Sequence, residues 1–330
     1  MHGQKRNEYK ARFKDPKTAA GLAQKAQQWH SLVAELAQRR KEAEESKTTL
    51  ALIEKALLVN PDPLALWNHR REEILKGSVG DDSLNPELAL TQASLQRNPK
   101  AYGAWFHRKW ILQQTKPSAD VLRTELALTG KFLSLDERNF HCWNYRRFVV
   151  GAMSGSWNGE WSSPAMGPQL ARESSSSSIP IELILSEWKF TQDKIQDNFS
   201  NFSAFHYRSQ LLPLILKQEE NPQDLMEQEL QLIEDAICTE PDDQTAWWYH
   251  ALLLDSILPL EDLTSRLEEQ ADLLRELLEE SPGKWVLLGL HRVLKTLKVN
   301  QEEQSELLDK IIEVDPDRTQ AYQELLGTTS

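Results

Sequence analysis

A chain of 330 residues, 40% hydrophobic and 27% charged, has the make-up of a folded protein with a sizeable core. Its 50 acidic residues outnumber 38 basic ones, and a net charge of −12 argues against a general nucleic-acid binder or a polybasic membrane-surface protein. Two cysteines, Cys142 and Cys238, give neither a disulfide framework nor a complete zinc site.

The N-terminus, Met-His-Gly-Gln-Lys-Arg, lacks the apolar stretch of a signal peptide, and no apolar run approaches the ~18 to 20 residues of a membrane span. A cytoplasmic, reduced protein is expected. Residues 1–46 read as an N-terminal segment and a helical arm, rich in Ala, Glu, Lys and Gln. From residue 47 the pattern changes. Eleven tryptophans are an excess that suggests one structural position copied several times.

Trp67, Trp105, Trp143, Phe205, Trp247, Trp285 and Tyr322 align as anchors. The first three sit in Trp67-Asn68-His69-Arg70-Arg71, Trp105-Phe106-His107-Arg108-Lys109 and Trp143-Asn144-Tyr145-Arg146-Arg147. The step is near 38 residues except between the third and fourth anchors. There a Gly/Ser-rich stretch at about 151–180, with five serines from Ser174 to Ser178, reads as a loop insertion. Turn residues such as Asn60-Pro61, Asn98-Pro99 and Glu240-Pro241 precede the anchors, and apolar stripes at helical spacing precede the turns. The predicted fold is all-α: an α-solenoid of seven antiparallel helix pairs over 47–327. Tetratricopeptide repeats are shorter and carry a different signature.

The anchor rings are expected to be core. Arg70, Arg108, Arg146 and Arg208, three residues after an anchor, are expected to be half-buried and bonded to carbonyls or carboxylates at the neighbouring turn. Charge is uneven: residues 210–330 hold 27 acidic and 9 basic residues, so an anionic ligand suits the first two thirds and a basic partner the last.

Repeats of this form resemble those of the α subunits of protein prenyltransferases. Met1-His2-Gly3, Pro99-Lys100-Ala101-Tyr102-Gly103-Ala104-Trp105, Asp136 to Trp143 and Asn198 to Ser203 are most similar to the type II branch, which acts on Rab GTPases. The resemblance implies a crescent of helix pairs around a β subunit that holds the catalytic zinc and most of the isoprenoid pocket. It also implies transfer of geranylgeranyl from geranylgeranyl diphosphate to cysteines of a Rab GTPase presented by a Rab escort protein. Lys100 is then the catalytic and diphosphate-binding lysine, with Tyr102 beside it, and Arg138 is a second diphosphate contact. Asn139, Phe140 and His141 would form a rim towards the partner. His2 would be a possible autoinhibitory contact to the partner's zinc. Gly103 stands where farnesyltransferase-type subunits carry a glutamine for a short peptide's C-terminus, which argues for the type II branch. The immunoglobulin-like and leucine-rich-repeat modules of larger relatives are missing between the fifth and sixth pairs and after the seventh, and are not expected to be needed. The other readings are a farnesyltransferase or type I geranylgeranyltransferase α subunit, and a non-catalytic helical scaffold.

Overall fold

The structure, a computed structural model, describes residues 15–42, 46–77, 83–155, 179–217, 221–257 and 263–327. Among them there is no strand. The chain divides into two compact units, Met1–Pro164 and Ala165–Ser330. The first holds α1 (Pro16–Glu42), α2 (Ser46–Val59), α3 (Leu64–Leu75), α4 (Leu84–Arg97), α5 (Tyr102–Thr115), α6 (Ala119–Leu135) and α7 (Phe140–Met153). The second holds α8 (Ile181–Asp197), α9 (Phe202–Leu216), α10 (Pro222–Thr239), α11 (Gln244–Ile257), α12 (Thr264–Glu280), α13 (Lys284–Leu297), α14 (Gln301–Val314) and α15 (Thr319–Gly327). After the arm helix α1, the described helices pair in sequence from α2/α3 to α14/α15, seven pairs among the described residues. The second helices α3, α5 and α7 lie side by side in the first unit, as do α9, α11 and α13 in the second. The His2 and Ser174–Ser178 readings fall on residues outside those described.

Each pair is joined by a turn whose chemistry repeats. Asn60, Asn98 and Asn198 each accept from the backbone N–H two residues on, at 3.1, 3.0 and 2.8 Å. This local bond competes with the helix and stops it. The anchor tryptophan then fastens the turn. Its indole Nε1 donates to the carbonyl six residues earlier: Trp67 to Pro61 (2.8 Å), Trp105 to Pro99 (2.8 Å), Trp143 to Glu137 (2.8 Å) and Trp247 to Pro241 (2.7 Å). The ring fills the core and its one polar atom closes the turn, which explains why tryptophan itself recurs.

The sixth anchor is corrected by this geometry. Trp285 is the second residue of α13 and only half-buried, whereas every other anchor is the fourth residue of its helix. The fourth residue of α13 is Leu287, and it is buried.

The arginines also differ from expectation: all four are fully buried, and Arg70, Arg108 and Arg208 are bonded to a glutamate of the next pair rather than to a turn. Arg108 clamps both carboxylate oxygens of Glu125 at 2.6 Å, and its third nitrogen donates to Leu88 O (2.7 Å) and Thr91 Oγ1 (2.8 Å). Tyr145 Oη donates to the same Glu125 at 2.6 Å. Arg70 does the same with Glu87 (2.7 and 2.6 Å), where His107 replaces the tyrosine at 2.8 Å, and Arg208 with Glu229 (2.7 and 2.5 Å) and Tyr249 (2.6 Å). One second helix is thereby cross-bonded to both helices of the following pair.

Gly103 faces the Trp67 indole so closely that a Cβ there would lie 2.3 Å from Cδ1. Helices α3 and α5 touch through this gap. Gly103→Ala is therefore expected to destabilise the first unit by about 1–3 kcal/mol, through overpacking rather than helix propensity, which favours alanine. A thermal melt of the variant no lower than that of the wild type would contradict this.

Candidate functional site

The turns line up along one edge of the first unit. Asn98 Nδ2 donates to Asp62 Oδ1 at 2.6 Å, and Asn139 Nδ2 donates to Pro99 O at 2.9 Å. The turn at 60–63 is thus tied to that at 98–101, and the latter to the turn at 136–139. Lys100 lies on the middle turn with its side chain 40% exposed and Nζ 3.6 Å from Asp136 Oδ2 on the next. Tyr102 opens α5, is well exposed, and meets the His141 ring edge-on at 5.4 Å. Phe140 opens α7, is exposed too, and packs 3.9 Å from His141, ring centre to ring centre.

Burial, and then the nearby Lys100 ammonium, hold the His141 imidazole below its usual pKa. It is therefore neutral at pH 7 and offers an N–H rather than a second charge. Arg138 sits on the same turn as Asp136, exposed, with Nε 4.0 Å from Glu137 Oε1. The assembly is a ledge with a cation steered by one carboxylate, a phenol and a neutral imidazole. Such a set can grip an anion with several oxygens.

Lys100, Tyr102, Phe140 and His141 are brought together, with Arg138 on the adjoining turn. Asn139 is not a rim residue. It is buried, and its Oδ1 accepts from the His141 and Cys142 N–H groups at 3.1 and 3.2 Å while its Nδ2 reaches Pro99. An amide fits here because one end must accept at the helix start while the other donates to the neighbouring turn. Sequence reading missed Asp136 as the partner of Lys100. The available signal was its place in the repeat, where Asn60, Asn98 and Asn198 stand.

Among the described residues no three His, Cys, Asp or Glu side chains gather as a metal site. Cys142 is buried, its thiol pushed well up by that burial, and Sγ lies 3.5 Å from Thr129 O. These residues do not fit a zinc ion.

Residues 84–115, 122–153, 184–215 and 226–257 each match the protein prenyltransferase alpha subunit repeat. Helices α4 to α11 thus carry four protein prenyltransferase α-subunit repeats. Relatives of this α-subunit repeat protein include the geranylgeranyl transferase type-2 subunit alpha of Schizosaccharomyces pombe, 32% identical over 167 residues, covering 42% of this chain and 48% of that one. The Homo sapiens protein of the same name is 42% identical over 83 residues, 23% of this chain and 15% of the relative. That of Dictyostelium discoideum is 31% identical over 124 residues, 36% of this chain and 39% of the relative. The matched stretch thus spans about half or less of each relative's length. Among solved structures, a chain of Candida albicans protein geranylgeranyltransferase-I complexed with GGPP superposes with a TM-score of 0.65, covering 92% of this chain and 91% of that one. At 19% identity this likeness supports the α-subunit fold and nothing narrower. Among the described residues no helix is long and apolar enough to cross a membrane.

Proposed function

We propose that this chain is the α subunit of a type II geranylgeranyltransferase. With a β subunit that holds the zinc and most of the isoprenoid pocket, it transfers geranylgeranyl from geranylgeranyl diphosphate to C-terminal cysteines of Rab GTPases presented by an escort protein. The reading rests on the Lys100–Tyr102–His141 ledge in a chain whose relatives carry the type-2 alpha name.

The partner's zinc supplies the cysteine thiolate when bound. The sulfur forms a bond to C1 of the isoprenoid as the C1–O bond breaks, and negative charge builds on the departing diphosphate. Lys100 meets that charge, and the developing anion competes with Asp136 for its ammonium. Tyr102 Oη and a His141 N–H add donors without adding charge, and Arg138 supplies a second cation from the next turn. Interactions of this kind act on the rate because they strengthen as the leaving group ionises. Gly103 favours the type II branch over its farnesyl and type I relatives. The space a glutamine would need at that position is filled by Trp67.

Co-expression with a type-2 β subunit and with a type-1 β subunit tests the reading. A stable heterodimer with the type-2 chain is expected, active on an escort-bound Rab and inactive on a short C-terminal peptide. Prenylation of the bare peptide would reassign the protein to the other branch. In the active heterodimer, Lys100→Ala is expected to lower kcat by roughly 10²-fold, about 2.7 kcal/mol, with little change in KM for the Rab–escort complex. Unchanged turnover would leave only the scaffold reading.

A further inference from the structure

The second helices of the first three pairs each carry two successive cations: Arg70-Arg71, Arg108-Lys109 and Arg146-Arg147. The first of each pair is buried in the repeat's own hydrogen-bond network. The second points away from it and lies, half-buried, on the side of the helix that faces out. Arg71 spreads over the Phe106 ring at 4.8 Å and is hydrogen-bonded to Asn68. Lys109 stands over the Phe148 ring at 4.9 Å. Arg147 occupies the same position one repeat on and is bonded to Asn144 as Arg71 is to Asn68.

This outward cation is not something the repeat needs in order to fold. In the second unit the equivalent positions are Ser209 and Ala251, and α9 and α11 form the same helices without it. At Arg71 and Lys109 the described residues do not neutralise it. Among the described residues Arg71 and Lys109 have no carboxylate partner, and Arg71 Nη1 is buried with no hydrogen bond. Burial lowers the pKa of both, with no acidic group opposing it. Helices α5 and α7 contain no Asp or Glu, and the two in α3 are engaged, Glu72 with Arg40 (2.9 Å) and Glu73 with Lys76 (2.5 Å). A desolvated cation left without a counter-charge is unfavourable, and a carboxylate brought from outside removes the penalty.

We propose that Arg71, Lys109 and Arg147 form a cationic ladder on which the β subunit lays an acidic ridge. The inference rests on the functional reading above. The occupant is chosen by continuity with the site: Tyr102 and Phe140, on the ledge beside Lys100, open the same helices that carry the second and third rungs. The rungs alternate with the exposed Leu64, Tyr102, Phe106 and Phe140, a mixture of cations and large apolar groups that suits a protein surface better than a phosphate backbone. The ladder therefore sets both the affinity and the register of the heterodimer.

The experiment measures the dissociation constant of the purified full-length chain with a type-2 β subunit, across a salt series. The triple variant Arg71→Gln, Lys109→Gln, Arg147→Gln is expected to bind on the order of 10²-fold more weakly at low salt, with a flattened salt dependence. Lys109→Met alone, which keeps its packing on Phe148, is expected to lose about 10-fold and guards against a folding defect in the triple. Wild-type affinity and salt response in both variants would overturn the ladder and leave the functional reading standing. Failure of the wild-type chain to assemble with the type-2 β subunit would overturn that reading, and the ladder's occupant with it. Loss in the triple variant of self-association, of binding to a single-stranded oligonucleotide or of binding to phosphatidylserine vesicles, with heterodimer affinity unchanged, would assign the cations to another occupant and refute the proposal.

Discussion

Arg108→Met is expected to lower the stability of the first unit by about 3–5 kcal/mol, the range for removing one partner of a buried ion pair. All the groups concerned are buried: Arg108, Glu125, Tyr145 and Thr91. The guanidinium satisfies two carboxylate oxygens, a backbone carbonyl and a hydroxyl at once. Methionine keeps much of the volume and returns none of those bonds. Glu125 keeps the Tyr145 hydroxyl as a donor, a phenol in place of a full counter-charge. Both residues lie between pairs, so the loss also unlatches the third pair from the second. The double variant Arg108→Met, Glu125→Leu is expected to recover most of the loss, because the isolated charge disappears with its partner. Exposed pairs serve as the control: Arg123→Ala, which breaks a contact to Asp120 at the surface, should move stability by less than about 1 kcal/mol. Urea unfolding followed by tryptophan fluorescence would decide it. A loss below 1 kcal/mol for Arg108→Met, or no recovery in the double variant, would refute the account of the latch.

The tryptophan repeat was legible in the sequence because its two duties, filling the core and closing the turn through Nε1, are met together by one residue type. At Trp285 residue identity and spacing disagree, and spacing sets the register. Elsewhere the anchor stands six positions after the turn residue whose carbonyl accepts its indole N–H, as in Pro61 to Trp67 and Pro241 to Trp247, whereas Trp285 stands three after Pro282. Counting six from Ser281 reaches Leu287. The glutamates that hold the arginines were present at a repeated separation of 17 residues in Arg70–Glu87 and Arg108–Glu125. A sequence view assigns surface roles to such carboxylates, because their burial depends on packing between successive pairs. Lys100 was legible only through resemblance. Its electrostatic setting, with Asp136 ahead of it and a neutral His141 beside it, depends on two turns 38 residues apart being tied by the amide of Asn139.

The second unit is expected to lose stability steadily as pH falls from about 7 to 5. His250 and His291 are both buried, and burial is the leading reason their pKa values fall to about 4. For His250 the bond to Gln270 at 2.9 Å opposes that shift, and for His291 the charges of Lys295 and Arg292 reinforce it. Neither His291 ring nitrogen has a hydrogen-bond partner. In the unfolded chain a histidine takes up its proton near pH 6.5, while in the folded unit it resists until about pH 4. The unfolded state thus binds more protons throughout that interval, so stability is complete above pH 6.5 and declines below it. Each histidine contributes a slope on the order of 1.4 kcal/mol per pH unit, and the two together account for several kcal/mol before pH 4. Carboxylates held low in the fold, such as Glu303 beside Arg275, act in the same direction at lower pH, so the span from 7 to 5 isolates the histidines. His291→Leu removes one of the two and also a buried ring with nothing to bond to. It is expected to raise stability at pH 5 more than at pH 7 and to cut the slope by about half. Parallel pH profiles for the wild type and the variant would show that His291 is not held neutral by its burial.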